Sequence, residues 1–306
     1  MINPRNIRNS DPTLTNYAVT LPEPASVMEQ VLPVLPVDTQ SGYYNVWTGN
    51  EERTANVVDV RAPGMPAALV TRSKSSATYT ALERALAYQI SDEEADEVGS
   101  AAARQAAIRI TRGKIVLGAE LRAKTLLTTS GNFGTVVAAA AVWSNAAADI
   151  PGNIRTAIRG VELKSGLPAN TIFIPDNIVP GLFTNTLLAD QWTAEQLVAQ
   201  RLPETFMGLR VITPRMVQNT ANMAATASLS FVWDGTTVEV LHVNPNPSIL
   251  EPTWGLTFRM RNFGTNGVRI SDWREERLHS DFVEYARKET SAVTFTAAGA
   301  IITGAA

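Results

Sequence analysis

The sequence predicts an α+β protein, on three observations. A capped helix is long enough to cross the molecule, the C-terminal third reads mostly as alternating strands, and the first ninety residues lack a hydrophobic interior of their own. Of 306 residues, 45% are hydrophobic and 18% charged, a folded composition with room for one large domain or two ordinary ones.

Residues 1–42 read as an arm. Six of the seventeen prolines fall here, at Pro4, Pro12, Pro22, Pro24, Pro33 and Pro36. Each removes a donor and fixes φ, which rules out a long helix or a central strand. A short amphipathic turn is expected at Val27, Met28, Val31 and Leu32, and the interleaved Leu21, Val34, Leu35 and Val37 suit an arm that lies on something. Residues 43–90 read as a two-stranded excursion. Tyr43, Tyr44, Val46 and Trp47 lead out, and Thr78, Tyr79, Thr80 and Leu82 return toward Ile90. The turn formers Gly49, Asn50, Pro63, Gly64 and Pro66 lie between. Such a ribbon is marginal in isolation. Arm and ribbon are therefore expected to find a core only when copies interlock.

Ser91 with Glu94 fits a capping box, and Asp92, Glu93, Glu94, Asp96 and Glu97 crowd the first turns, where the helix dipole favours negative charge. Val98, Ala101, Ile108, Ile115, Ala119 and Leu126 form one stripe at helical period. A helix from Asp92 to Leu127 rises about 50 Å, the full width of a compact chain of this size. Gly113 and Gly118 are the expected bends. Arg104, Arg109, Arg112, Lys114, Arg122 and Lys124 stand against Glu120 alone. They read either as a solvated face or as a surface toward a polyanion.

Beyond the loop Thr129–Thr135, a second helix is expected from Pro151 to Gly166, with Ile154, Ala157, Ile158 and Val161 on one face. Thr171–Ile174 reads as a buried strand, Asp176 as the cap of a short helix, and Thr193 with Gln196 as a second capping box. Leu229, Phe231 and Trp233, the Asp234-Gly235 turn, then Val238, Val240 and Leu241 suggest a hairpin. Trp254, Leu256, Phe258 and Met260 alternate again, Asn266-Gly267 turns the chain, and Val293 and Phe295 lead to Ile301 and Ile302.

No chemistry is legible. Without cysteine there is no disulfide, thiolate nucleophile or cysteine-held metal. The two histidines, His242 and His279, have no metal-site spacing. Gly113-Lys114 lacks the rest of a phosphate-binding loop, and no serine sits in a nucleophile elbow. His279 beside Asp281 falls in the charged segment Asp272–Glu289, which reads as a solvated edge. A net charge of −3 points to no polyanion over the whole surface. No apolar run reaches the length of a spanning helix, and the N-terminus lacks a secretion-signal core. No catalytic residue, cofactor or metal is expected, and the protein should stay where it is made.

The order of elements resembles the major capsid proteins of tailed bacteriophages, with the Hong Kong 97-like fold. Val58–Gly64 resembles their extended loop, and Ser76–Glu83 running to Ile90–Glu94 resembles the returning strand that enters the spine helix. Trp143–Asn145, Asp149–Pro151 and Gly166–Ile172 are similar to the entry of the axial domain. Gly208–Ile212, Phe231–Asp234 and Val243–Pro247 continue in the same order. The resemblance implies an N-terminal arm at 1–42, an extended loop at 43–90, and the spine helix and start of the peripheral domain at 91–149. It implies an axial domain at 150–235 and strands completing both domains at 236–306.

It further implies self-assembly as hexamers and pentamers into an icosahedral head enclosing double-stranded DNA, built in the bacterial cytoplasm and ending in the virion. Implied partners are a portal and a separate scaffolding protein, with a decoration protein as an optional addition. Arg61, Met65, Lys74 and Tyr79 would lie on the inter-subunit loop, and Arg104, Arg109, Arg112 and Lys114 would face DNA. An encapsulin-like compartment shares the fold and is the alternative.

Overall fold

The structure, a computed structural model, describes residues 9–10, 14, 17–18, 26–49, 60–61, 63–66, 75–221 and 226–306. The arm contributes β1 (Asn9–Ser10), helix α1 (Met28–Val31) and β2 (Val34–Val37). A ribbon of β3 (Ser41–Val46) and β4 (Ser75–Thr80) leads to β5 (Leu82–Ser91), then to helices α2 (Asp92–Val98) and α3 (Ser100–Thr128). Next come β6 (Thr135–Ala138), α4 (Ile150–Ser165), β7 (Thr171–Phe173), α5 (Val179–Thr184) and α6 (Ala194–Ala199). Short strands follow: β8 (Thr205–Phe206), β9 (Leu209–Ile212), β10 (Val217–Asn219) and β11 (Leu229–Phe231). The chain ends in β12 (Thr237–Leu241), β13 (Gly255–Met260), β14 (Val268–Glu275), β15 (Ser280–Val293) and β16 (Gly299–Thr303).

Two six-stranded sheets organise these elements. In the first, β15 is central: β14 pairs it over Ser280–Arg287, β13 over Glu289–Val293, and β5 over Ser280–Glu289, all antiparallel. The second runs β6-β16-β12-β7-β9-β8. Helix α4 covers it, burying Ile154, Ala157 and Val161 against Ile172, Val238, Val240 and Ile302. Helix α3 lies on the first sheet, with Ala107, Ile108 and Ile115 packed against Ile90, Val283 and Tyr285. Its later turns join α1 and Trp254 in a third cluster, through Val116, Ala119, Ala123 and Leu127.

Local signals hold well. The Ser91 hydroxyl accepts from the Glu94 amide at 3.2 Å, and Thr193 with Gln196 closes a full capping box. Asp149 caps α4 beside Pro151, and Gly166 ends it in the left-handed conformation. Asp176 caps nothing with its side chain; it accepts from Arg215 Nε at 3.0 Å instead.

Long-range expectations fare worse. The long helix breaks at Gly99 (φ +92°, ψ +131°), while Gly113 and Gly118 stay helical. Ile108, Ile115 and Ala119 face inward, whereas Val98, before the break, and Ala101, in the first turn after it, are exposed. The return strand splits at buried Ala81, so β4 stays with the ribbon and β5 joins the sheet. The hairpin at Asp234-Gly235 does not form, because β11 pairs β10 while β12 pairs β7 and β16. A turn dipeptide sets the local path but not the partner.

Gly99 yields a sharp test. A Cβ there meets nothing within 4 Å, so the cost of Gly99→Ala is purely conformational, about 2 kcal/mol for a region that L-residues avoid. Calorimetry should show a melting temperature lower by about 5 °C. Gly113→Ala, in a helix interior, should raise it slightly. Equal effects at the two sites would exclude a strained break.

Candidate assembly surface

The expectation that the first ninety residues have no interior within one copy is overturned for residues 26–46 and 75–91. Strand β2 runs parallel to β13, and Leu35 and Val37 are buried with Leu256, Phe258 and Tyr79. Helix α1 buries Met28 and Val31, and Leu32 after it is also buried. The anchor is Glu120, fully buried on α3. Its Oε1 accepts from the Val27 and Met28 amides at 2.8 Å each and from the Ser26 hydroxyl at 2.5 Å, and its Oε2 accepts from Trp233 Nε1 at 2.8 Å. In the sequence Glu120 looks like a lone counter-charge among cations. Its role as a cap for a segment ninety residues away carries no local signal.

The loop residues separate. Arg61 and Met65 are exposed. Tyr79 is not: it stacks on Phe258 at 4.4 Å and 4°, with its hydroxyl 3.2 Å from Thr39 Oγ1. It pins the ribbon to its own body. Lys74 lies outside the described residues, as do Val58, Asp59 and Ala62 of the loop stretch.

The helix cations separate as well. Arg104 is tied to Asp281 at 2.9 Å and to Asp272 at 3.7 Å, and Arg112 is buried. Arg112 therefore offers no charge to the surface, against the DNA-facing expectation, whereas Arg104 is engaged by two carboxylates and keeps 31% of its side chain exposed. Arg122 bonds Glu289 at 3.1 Å, and Lys124 donates to the Val232 carbonyl at 2.7 Å. Arg109 and Lys114 remain exposed.

The segment Asp272–Glu289 is likewise no solvated edge over its second half. Glu284, Arg287 and Glu289 are buried in the central strand. Glu289 there meets Arg122, Arg259 at 3.1 Å and Arg287 at 2.9 Å, while Arg259 also bonds Glu29 at 2.6 Å. Burial, which disfavours the Arg259 cation, is outweighed by Glu289 and Glu29, so its pKa rises. Arg122 shifts down, through burial and the nearby Arg84 and Arg287. The cluster joins arm, long helix and sheet, and it reads as structural rather than catalytic. Among the described residues, no group of three His, Asp or Glu side chains could hold a metal, and no helix is long and apolar enough to cross a membrane.

Apolar side chains remain on the outside in distinct places. The two-stranded β10–β11 ribbon presents Val217, Leu229 and Phe231, helix α6 presents Leu197 and Val198, and Leu82, Leu86 and Leu121 lie along β5 and α3. Clustered exposure of this kind marks interaction surfaces.

No protein-family model matches the sequence, and no curated protein matches it. Solved structures do match. A phage-related protein from Bordetella bronchiseptica superposes with a TM-score of 0.71 at 20% identity, over 97% of this chain and 98% of its own. The capsid of cyanophage P-SCSP1u gives 0.61 at 10% identity, over 93% and 89%. The SrpI encapsulin of Synechococcus elongatus gives 0.54 at 12% identity, over 93% and 90%.

Proposed function

From the Hong Kong 97-like capsid fold that this chain carries, we propose that it is a major capsid protein, many copies of which assemble as hexamers and pentamers into the icosahedral head of a tailed bacteriophage. The observation that carries the reading is the end-to-end match to a phage-related protein, at a TM-score of 0.71 over nearly the whole of both chains. The likeness covers nearly the whole of this chain and is not confined to one part of it. The exposed apolar patches supply what a shell subunit needs, surface that is stable only when covered.

The head would enclose double-stranded DNA through non-specific contacts, which need cations without sequence readout. Of the four helix cations first considered, Arg109 fits that role best, being exposed on the long helix. Scaffolding, portal and decoration proteins belong to the same proposal, as do assembly in the bacterial cytoplasm and the absence of catalysis. An encapsulin-like compartment is the second reading, supported by the likeness to the Synechococcus shell.

Negative-stain microscopy of the purified chain should show closed, regular shells. Only tubes or small oligomers would defeat both shell readings. A neighbouring gene for a portal or for a cargo enzyme would choose between them.

A further inference from the structure

Between β5 and α3 runs an open groove of about 200 Å³. Leu86 and Ile115 form apolar walls, Gly118 leaves the helix side low, and Arg84, Lys114 and Arg122 line it. Its charge is unbalanced. Among the described residues, Arg122 alone of the three cations has a carboxylate, Glu289, which Arg259 and Arg287 also share. Among the same residues, exposed Lys114 is in no ion pair, and Arg84 Nε is buried without a hydrogen-bond partner. A buried donor left unpaired is costly, so an incoming acceptor would be favoured. Leu82, Leu86 and Leu121 extend the apolar rim. A cationic slot with greasy edges suits a carboxylate-bearing protein segment better than a phosphate backbone.

The same chain displays such a segment. Helix α2 holds five acids in seven residues and no base. Asp92 pairs with Arg274 and Glu94 accepts from Tyr88, but Glu93, Asp96 and Glu97 are exposed and take part in no ion pair among the described residues. Exposed Val98 closes the helix with an apolar end. It cannot reach its own groove. Ser100 and Lys114 lie fourteen steps apart on one helix, about 21 Å at ~1.5 Å per residue.

We propose that the groove between β5 and α3 receives the α2 carboxylates of a second copy, a contact that rests on the shell reading and specifies one of its joints. Each copy then offers a slot and a plug, a head-to-tail arrangement of the kind that builds rings when the rotation between copies closes.

The absence of cysteine makes the test clean. The chain carrying Glu97→Cys and Lys114→Cys is assembled and oxidised. Its two thiols are too far apart to bridge within one copy. Denaturing gels should therefore show a ladder of covalent multimers, and monomer alone from intact particles would overturn the contact. A charge swap checks it without new bonds. Arg84→Glu with Lys114→Glu, or Glu93→Lys with Glu97→Lys, should each lower particle yield at least about tenfold, and all four together should restore it. Unchanged yields in the half-swaps, or no recovery in the full swap, would overturn it while leaving the shell reading intact. Failure of the unmodified chain to form particles would remove both.

Discussion

Replacing Glu120 with alanine is expected to lower the melting temperature by about 10 °C. Four donors converge on this one carboxylate: the first amides of α1, the Ser26 hydroxyl and the Trp233 indole. The site is fully buried, so water does not replace the lost acceptor. Stranding buried donors costs about 1–3 kcal/mol each, with partial relaxation. A net loss of about 4 kcal/mol follows, worth about 2–4 °C per kcal/mol in a chain of this length. Glutamine keeps one oxygen and should cost roughly half as much. Limited proteolysis adds a positional readout, since residues 26–37 should become cleavable in Glu120→Ala before the sheets do. A melting temperature within about 2 °C of the parent would show that the arm is held by its apolar contacts alone.

Glu239 gives the second large effect, with the opposite sign. It sits fully buried in β12 between Phe173 and Ile301, and its carboxyl accepts from the Thr237 hydroxyl at 2.6 Å. Burial disfavours its charge and pushes its pKa up to about 8. At neutral pH the folded chain therefore holds a proton that the unfolded chain releases. The stability tied to that proton is fully present below the ordinary glutamate pKa. It declines as pH rises from about 4.5 to about 8, and beyond that no more is lost.

Glu239→Gln keeps the shape without the titration. It should be more stable than the parent at pH 8, by about 2–4 kcal/mol. The two should converge toward pH 5. Denaturant titrations at pH 5, 6.5 and 8 measure this directly. A pH-independent gap between the two chains would exclude the buried proton.

What the sequence reveals here is divided by range. The caps at Ser91 and Thr193 and the bounds of α4 are legible because each depends on residues within one turn. Strand partners are not, because Asp234-Gly235 reads the same whether or not the flanking strands pair. Gly99 escapes notice because nothing local separates it from Gly113 or Gly118. For the surface, exposure of Arg61 and Met65 follows from their polar, turn-rich setting. The pairing of Arg104 does not, since Asp272 and Asp281 lie far along the chain, and the burial of Arg112 leaves no local mark either. Charged residues look solvated until their partners are known. Glu284, Arg287 and Glu289 are buried because other segments bring the compensating charge.

The place of β15 and β16 has a temporal consequence. Strand β15 is the middle of one sheet, and β16 sits between β6 and β12 in the other. Each is the last strand of its sheet along the chain. A nascent chain that has emerged only as far as α6 holds β1, β2 and β5 of one sheet and β6 and β7 of the other, strands that pair only with later ones, and neither sheet can close until Ser280–Thr303 leaves the ribosome. Maturation of the two layers is thereby deferred to one late, joint event. Such distant pairing folds slowly and is exposed to aggregation while it waits, but it also withholds a finished building block from every copy still being made.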